Sequence, residues 1–135
     1  MYDYDQLFHN MDYDLFLRCL TEEKDWIDET EILFLDDHER GECIMGYIPE
    51  IKINGEMRYF DKPYWIGTGC DIENGGEFLT AEELLEAKVY GGRSIAQAWD
   101  KVHVLHFGYV PLDIFFNTCS FSADVFEEKG VWKLR

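Results

Sequence analysis

Chain breakers cut this sequence into short pieces, and their spacing limits the folds open to it. Gly41, Asn54-Gly55, Pro63, Gly67, Gly91-Gly92, Gly108, Pro111 and Lys129-Gly130 separate segments that read as short strands or short helices. The segments do not follow regular βαβ spacing. This predicts an α+β fold: a small, mainly antiparallel sheet with an N-terminal helix and short helices packed on it. A chain of 135 residues has room for one core, so residues 1–135 are read as a single domain.

The spacing of apolar residues assigns the pieces. Leu15, Phe16, Cys19 and Leu20 form one stripe, extended backwards by Met11, and predict a helix from about Asp12 to Lys24. A short helix is expected before it, around Tyr4–His9. The charged stretch Thr21–Glu31 either continues the main helix or forms an acidic loop. Glu31–Leu35 and Cys43–Ile48 read as strands joined through a turn at Gly41. Asn54-Gly55 is the clearest hairpin signal, because a type I′ turn needs positive φ at both central residues. A two-residue loop sets Ile53 against Glu56 and Ile51 against Arg58, which makes no clean apolar face. The hairpin is therefore either bulged or projects from the body.

Tyr64-Trp65-Ile66 reads as a buried strand. Thr80-x-x-Glu83 and Ser94-x-x-Gln97 are capping boxes, opening helices that run to about Ala87 and through Trp99. Lys88–Tyr90 reads as a short strand and Val102–Phe107 as the best strand of this half. Pro111 opens a helical turn through Phe115-Phe116. Phe121–Glu127 and Val131–Leu134 flank Lys129-Gly130 as a terminal hairpin.

Charge points to function. The chain carries 28 Asp and Glu against 12 Lys and Arg, a formal net charge of −16. Residues 1–42 carry a net −11 and residues 43–135 a net −5. Such a surface argues against direct binding to nucleic acid or to an anionic membrane. Glu22, Asp25 and Glu29 lie at i, i+3 and i+7 with Asp28 beside them. On a helix these carboxylates share one face, about 4.5–6 Å apart along the axis. Phosphates on one DNA strand recur at about 3.4 Å. Glu23, Glu31, Asp36, Asp37, Glu39 and the earlier Asp12 and Asp14 extend the patch. Such a row can satisfy the Lys and Arg of a nucleic-acid groove with charge-assisted bonds. The plainer reading is a solvated face that keeps the protein soluble.

Other chemistry finds little support. Asp36-Asp37-His38-Glu39 lacks the spacing of an EF-hand, and the four Cys and four His lack zinc-ligand spacing. His103 and His106 are three apart, which on a regular strand sets them on opposite faces, with one in or near the core. No nucleophile elbow, phosphate loop or dinucleotide fingerprint occurs, and Gly67-Thr68-Gly69-Cys70 reads as a turn. No metal, cofactor or enzymatic activity is expected. Cys19, Cys43, Cys70 and Cys119 include no CxxC pair and read as reduced, mostly buried thiols. No run of 18 apolar residues spans a bilayer, and Met1–Asp5 lacks the features of a signal peptide, so a cytoplasmic protein is expected. Tyr59, Phe60, Tyr64 and Trp65 crowd one segment, either as core or as contact anchors.

One stretch carries a resemblance. Pro63-Tyr64-Trp65-Ile66-Gly67, Cys70-Asp71-Ile72, Thr80 to Leu85, and Gly92-Arg93-Ser94-Ile95 through Trp99 resemble short acidic proteins carried by bacterial phages and integrative elements. The resemblance covers about residues 59–116 and carries over no functional residue. It implies a setting in bacterial mobile DNA, where small acidic proteins of anti-CRISPR and anti-restriction type inhibit host nucleases. The function expected is an acidic inhibitor, a nucleic-acid mimic. Its partner is a basic nucleic-acid-binding protein such as a CRISPR effector or another nuclease. The alternatives are an immunity protein for a basic toxin, a small hydrolase or metal-dependent enzyme, and a virion or housekeeping component.

Overall fold

A computed structural model describes residues 2–135. Its centre is a five-stranded antiparallel sheet in the order β6-β5-β2-β1-β7. The strands are β1 (Thr30–Phe34), β2 (Cys43–Tyr47), β5 (Tyr64–Ile66), β6 (Gly76–Phe78) and β7 (Val102–His106). Two hairpins stand apart from it: β3 (Glu50–Ile53) with β4 (Glu56–Tyr59), and β8 (Val125–Glu128) with β9 (Val131–Leu134). The helices are α1 (Tyr13–Glu22), α2 (Ala81–Glu86) and α3 (Leu112–Thr118). The α+β architecture is thus present, with short helices packed on an antiparallel sheet. No helix among the described residues is long and apolar enough to cross a membrane.

The two faces of the sheet differ. Cross-strand partners share a face, so the register assigns Ile32, Cys43, Phe34, Met45, Ile66, Val102 and Val104 to one side. All are buried, and they pack with Leu15, Phe16, Cys19 and Leu20 of α1 and with Leu84 and Leu85 of α2. Aromatic contacts carry the core outward from this layer. Phe16 meets Trp99 at 4.8 Å and Phe107 at 5.6 Å, and Phe107 meets Phe115 at 4.6 Å. Phe116 then meets Trp132 at 4.8 Å, which attaches the β8–β9 hairpin. Ring-edge and tilted stacking of this kind adds about 0.5–1.5 kcal/mol per pair beyond area burial.

The other face carries Glu31, Leu33, Ile44, Gly46, Trp65 and His103. The chain reaches it from the N-terminus. The Phe8 carbonyl accepts from His103 Nδ1 at 2.7 Å, and the Val102 carbonyl accepts from His9 Nδ1 at 2.9 Å. Asn10 then passes the sheet edge. Its Nδ2 donates to the Val104 carbonyl and its Oδ1 accepts from the Val104 N–H, both at 2.8 Å. One buried amide thus supplies the pairing that a sixth strand would have supplied to β7. The Asn10 carbonyl accepts from Trp132 N, and the Trp132 carbonyl accepts from Asp12 N. Met11 carbonyl accepts from Trp99 Nε1 at 2.9 Å.

Local signals acted as their chemistry requires. Thr80 Oγ1 accepts from Glu83 N, and Ser94 and Gln97 bond each other reciprocally. The Asn54-Gly55 turn has φ of 52° and 84°, as type I′ demands, and β3 pairs β4 without a bulge. Every residue from Glu50 to Phe60 is exposed, so the hairpin projects. The four cysteines are free thiols, with Cys19, Cys43 and Cys119 buried.

Several expectations are corrected. α1 ends at Glu22 and not at Lys24, and of the two readings of Thr21–Glu31 the acidic loop holds from Glu23 to Glu29. Ile27 is buried and Glu29 takes φ +59°, a conformation no helix admits. Early in the chain a single 3-10 turn, Tyr4–Gln6, stands where a helix to His9 was expected. Lys88–Tyr90 forms no strand: Tyr90 makes one bridge to Arg93 around Gly91-Gly92. The Ser94 box opens turns and a 3-10 segment, Trp99–Lys101. Before β8 the chain forms another 3-10 turn, Ser122–Asp124. β6 had no counterpart in the sequence reading. His103 and His106 do not lie on opposite faces. The β1–β7 register shifts between Glu31 and Ile32, so Leu105 is an extra residue, and His103 pairs Leu33 while His106 pairs Glu31.

Replacing Asn10 with Ala leaves a buried N–H and C=O of Val104 without partners. The expected loss is about 2–4 kcal/mol in urea unfolding followed by tryptophan fluorescence. A loss below about 0.5 kcal/mol, within the range of a neutral surface change, would show that Asn10 does not hold the edge.

Candidate acidic interaction surface

The eleven carboxylates singled out in the sequence do not form one row. They divide between the two sides of the sheet. Asp12, Asp14, Glu22 and Glu23 belong to α1 and its ends. Glu31 lies on the opposite face with Asp28 against it, Glu29 precedes β1, Asp36, Asp37 and Glu39 follow β1 at its far end, and Asp25 is exposed in the turn between the groups.

Many of them already have partners. Arg18 bonds Glu22 and reaches Asp124 at 3.0 Å. Glu23 is 6 % exposed, because Ser120 donates to its Oε1 from both backbone N and Oγ. It ties the end of α1 to the loop after α3 and presents no charge to a partner, which corrects its place in the patch. Asp12 sits at the start of α1 without a side-chain capping bond, and Asp14 is exposed near Glu82 and Glu86 around Tyr13.

On the opposite face, Trp65 Nε1 donates to Asp28 Oδ1 at 2.9 Å. Gly46 makes this possible: a Cβ there would run into both Asp28 Oδ1 and the Trp65 ring. Burial pushes the Asp28 carboxyl up, against the lowering effect of the Trp65 bond. Glu31 Oε2 lies 3.3 Å from His106 Nε2, while His106 Nδ1 accepts from Tyr109 N at 3.1 Å. With Nδ1 accepting the Tyr109 N–H, the ring's N–H is the Nε2 one, which faces Glu31. Tyr109 stacks on His106 at 5.3 Å and bonds Glu29, which raises the phenol.

Asp36, Asp37 and Asp71 are gathered by two arginines. Arg93 grips Asp36 through both oxygens, at 2.8 and 2.6 Å. Arg40 donates to Asp37 at 2.9 Å, and to Asp71 and the Gly69 carbonyl at 2.8 Å. The guanidinium of Arg93 holds Asp36 below the usual carboxylate range, and Arg40 with the Gly91 N–H does so for Asp71.

Beside this neutralised rim lies a groove of about 720 Å³, lined by Tyr2, Asp3, Tyr4, Asp5, His38, Glu39, Gly41 and Glu42. Among the described residues, no Lys or Arg lines it. The Tyr4 and His38 rings stack at 4.0 Å, and His38 is held by donation from Nε2 to the Leu35 carbonyl. Asp3 accepts from Asp5 N and sets the 3-10 turn. Burial and a bond to Glu42 raise the Tyr2 phenol. Four carboxylates among flat aromatic rings suit an arginine or lysine side chain: the charge meets carboxylate and the guanidinium plane meets a ring. Of these four acids the sequence reading named only Glu39. The net −11 of residues 1–42 was the signal that also covered Asp3, Asp5 and Glu42.

Among the described residues, no group of three or more His, Cys, Asp and Glu is arranged to hold a metal ion. Arg40→Ala removes the partner of two carboxylates and is expected to cost about 2–3 kcal/mol, with Arg40→Lys recovering part of it. Because the folded Asp71 carboxyl is lowered, its contribution is full at neutral pH. It is lost as pH falls below the unfolded value of about 3.9 and through the lower folded one. Thermal melts of parent and variant from neutral to acid pH check this. A gap that stays constant down to about pH 2, well below the ordinary Asp value, would refute it.

Comparison of the chain with protein-family models, curated proteins and solved structures finds no match, so the chemistry of this surface rests on its own geometry.

Proposed function

We propose that this chain is an acidic binding protein that occupies the basic nucleic-acid groove of a bacterial nuclease and so inhibits it, in the manner of anti-CRISPR or anti-restriction proteins. The observation that carries the reading is the groove at Tyr2–Asp5 and His38–Glu42, whose described lining combines four carboxylate residues with the rings of Tyr2, Tyr4 and His38 and includes no Lys or Arg. The formal charge of −16 supplies long-range attraction to a basic partner, and the groove supplies a place for one or two of its cationic side chains. The carriers are Asp3, Asp5, Glu39 and Glu42, with Glu29 and Asp25 contributing to the field. Asp36 and Asp37, engaged by Arg93 and Arg40, shape the rim. Glu23 has no part in binding.

The test uses purified CRISPR effectors and restriction nucleases free of nucleic acid, with cleavage of duplex DNA as the readout. Inhibition is expected at about 0.1 M salt and is expected to weaken at about 0.5 M, where the screening length is roughly halved. The variant Asp3→Asn/Asp5→Asn/Glu39→Gln/Glu42→Gln is expected to melt like the parent and to bind at least about tenfold more weakly. A variant as inhibitory as the parent, or inhibition indifferent to salt, would sink the reading.

A further inference from the structure

The β3–β4 hairpin is the distal half of a longer ribbon. β2 pairs β5, Ile48 N donates to the Pro63 carbonyl, and Phe60 N donates to the Pro49 carbonyl before β3 pairs β4. Beyond Pro49 the ribbon leaves the sheet and no other element covers it. Its sequence differs from the rest of the molecule. Residues 50–62 carry three acids and three bases, a local charge of zero in a chain of −16. Met57 and Tyr59 are 42 % and 73 % exposed on one face of β4.

The backbone of β4 has an open edge. In a hairpin closed by a two-residue turn, the closing pair Ile53–Glu56 exchanges hydrogen bonds and the next pair, Lys52–Met57, does not. The Phe60-to-Pro49 bond falls where this alternation requires it. The N–H and C=O of Met57 and of Tyr59 therefore point away from β3. Charge completes the pattern. Glu56-Met57-Arg58 reads acid, apolar, base, and Arg58 Nη2 is only loosely engaged, 3.7 Å from Glu56 on its own strand. Turned antiparallel against its own copy about Met57, this triplet sets each Glu56 opposite an Arg58. The two Met57 residues then exchange both backbone bonds. β3 carries a similar triplet, Glu50-Ile51-Lys52, but it continues β2 on the side of β1, which is preceded by Asp25, Asp28 and Glu29. β4 leads into β5 on the other side, next to the three-residue β6, away from that acidic turn.

We propose that the partner of this edge is a second copy of the chain. The hairpins join β4 to β4 as a four-stranded antiparallel sheet about a two-fold axis at Met57, an isologous contact of the kind that closes. The neutral arm keeps the acidic bodies apart while the edges meet. The inference uses none of the groove residues and stands or falls separately from the proposed function.

Sedimentation equilibrium over about 1–100 µM tests it, the range suited to an interface smaller than the standard size. The parent is expected to dimerise reversibly. Arg58→Glu places glutamate opposite Glu56 twice and is expected to weaken the dimer at least about tenfold. Glu56→Arg/Arg58→Glu exchanges the two charges, keeps them complementary across the axis, and is expected to restore the dimer to within about threefold of the parent. The side chains of both residues are more than half exposed, so neither variant disturbs the core. A parent that stays monomeric to about 100 µM, a single variant as dimeric as the parent, or a double variant no better than the single would each overturn the proposal.

Discussion

The pairing of Asn10 with Val104 is the contact on which the arrangement of this chain depends. β7 would otherwise be an open edge, with buried backbone groups and no strand to pair them. Asn10 closes that edge with a side chain, which frees its own backbone to bond Trp132 and hold the β8–β9 hairpin. The next residue, Met11, is fully buried and receives Trp99 Nε1 on its carbonyl. Over three residues the chain passes from the outer face of the sheet to the helical core. Everything before the crossing, including Tyr2–Asp5, is thereby laid against the outer face, where the groove forms.

The parts legible in the sequence are those decided within a few residues. The stripe of α1, the capping bonds of Thr80 and Ser94, and the type I′ turn at Asn54-Gly55 all obey local chemistry. The awkward register of the hairpin left a bulge or a projection as the two outcomes, and the unbulged pairing with every residue exposed is the second. What misled was decided at a distance. Helical spacing past Glu22 left helix and acidic loop both open, and burial of Ile27 with the Ser120 bonds to Glu23 accompanies the loop. The bulge at Leu105 reversed the faces of two histidines through pairing with β1, which the sequence does not display. β6 was missed because three residues beginning with glycine carry no periodicity. The groove was missed because Tyr2–Asp5 and His38–Glu42 are brought together only by the crossing at Asn10.

The chain manages its charge unevenly, and that unevenness is informative. With 28 acids and 12 bases, most carboxylates must go without an ionic partner. Three arginines, Arg18, Arg40 and Arg93, are nonetheless spent on five carboxylates. Arg40 and Arg93 lie where β1, the turn before β2, and the loops around Asp71 and Gly91 converge, and they also cover the rings of Tyr90 and Phe34. Their task is to join segments. Asp3, Asp5, Glu39 and Glu42 sit next to this junction and receive no such cation from the groove lining. Under the proposed function, the rings of Tyr2, Tyr4 and His38 between these carboxylates are where the flat guanidinium of a partner would stack.

The separation of groove and hairpin along the molecule gives each its own electrostatics. Glu42 precedes β2 and Glu50 opens β3. Seven residues of nearly extended chain lie between them, eight steps or about 26 Å at a rise near 3.3 Å per residue. The screening length at physiological salt is about 8 Å, so the field of the groove has decayed through roughly three such lengths before it reaches the hairpin. A basic partner drawn to the groove therefore does little to the neutral edge of β4, and pairing at β4 leaves the groove open. Two grooves on one two-fold assembly could then engage two basic sites together. Such bivalence raises apparent affinity through effective concentration, with no new contact in either groove. On the proposed function, doubling the number of contacts strengthens binding where more acid on one body would only increase self-repulsion.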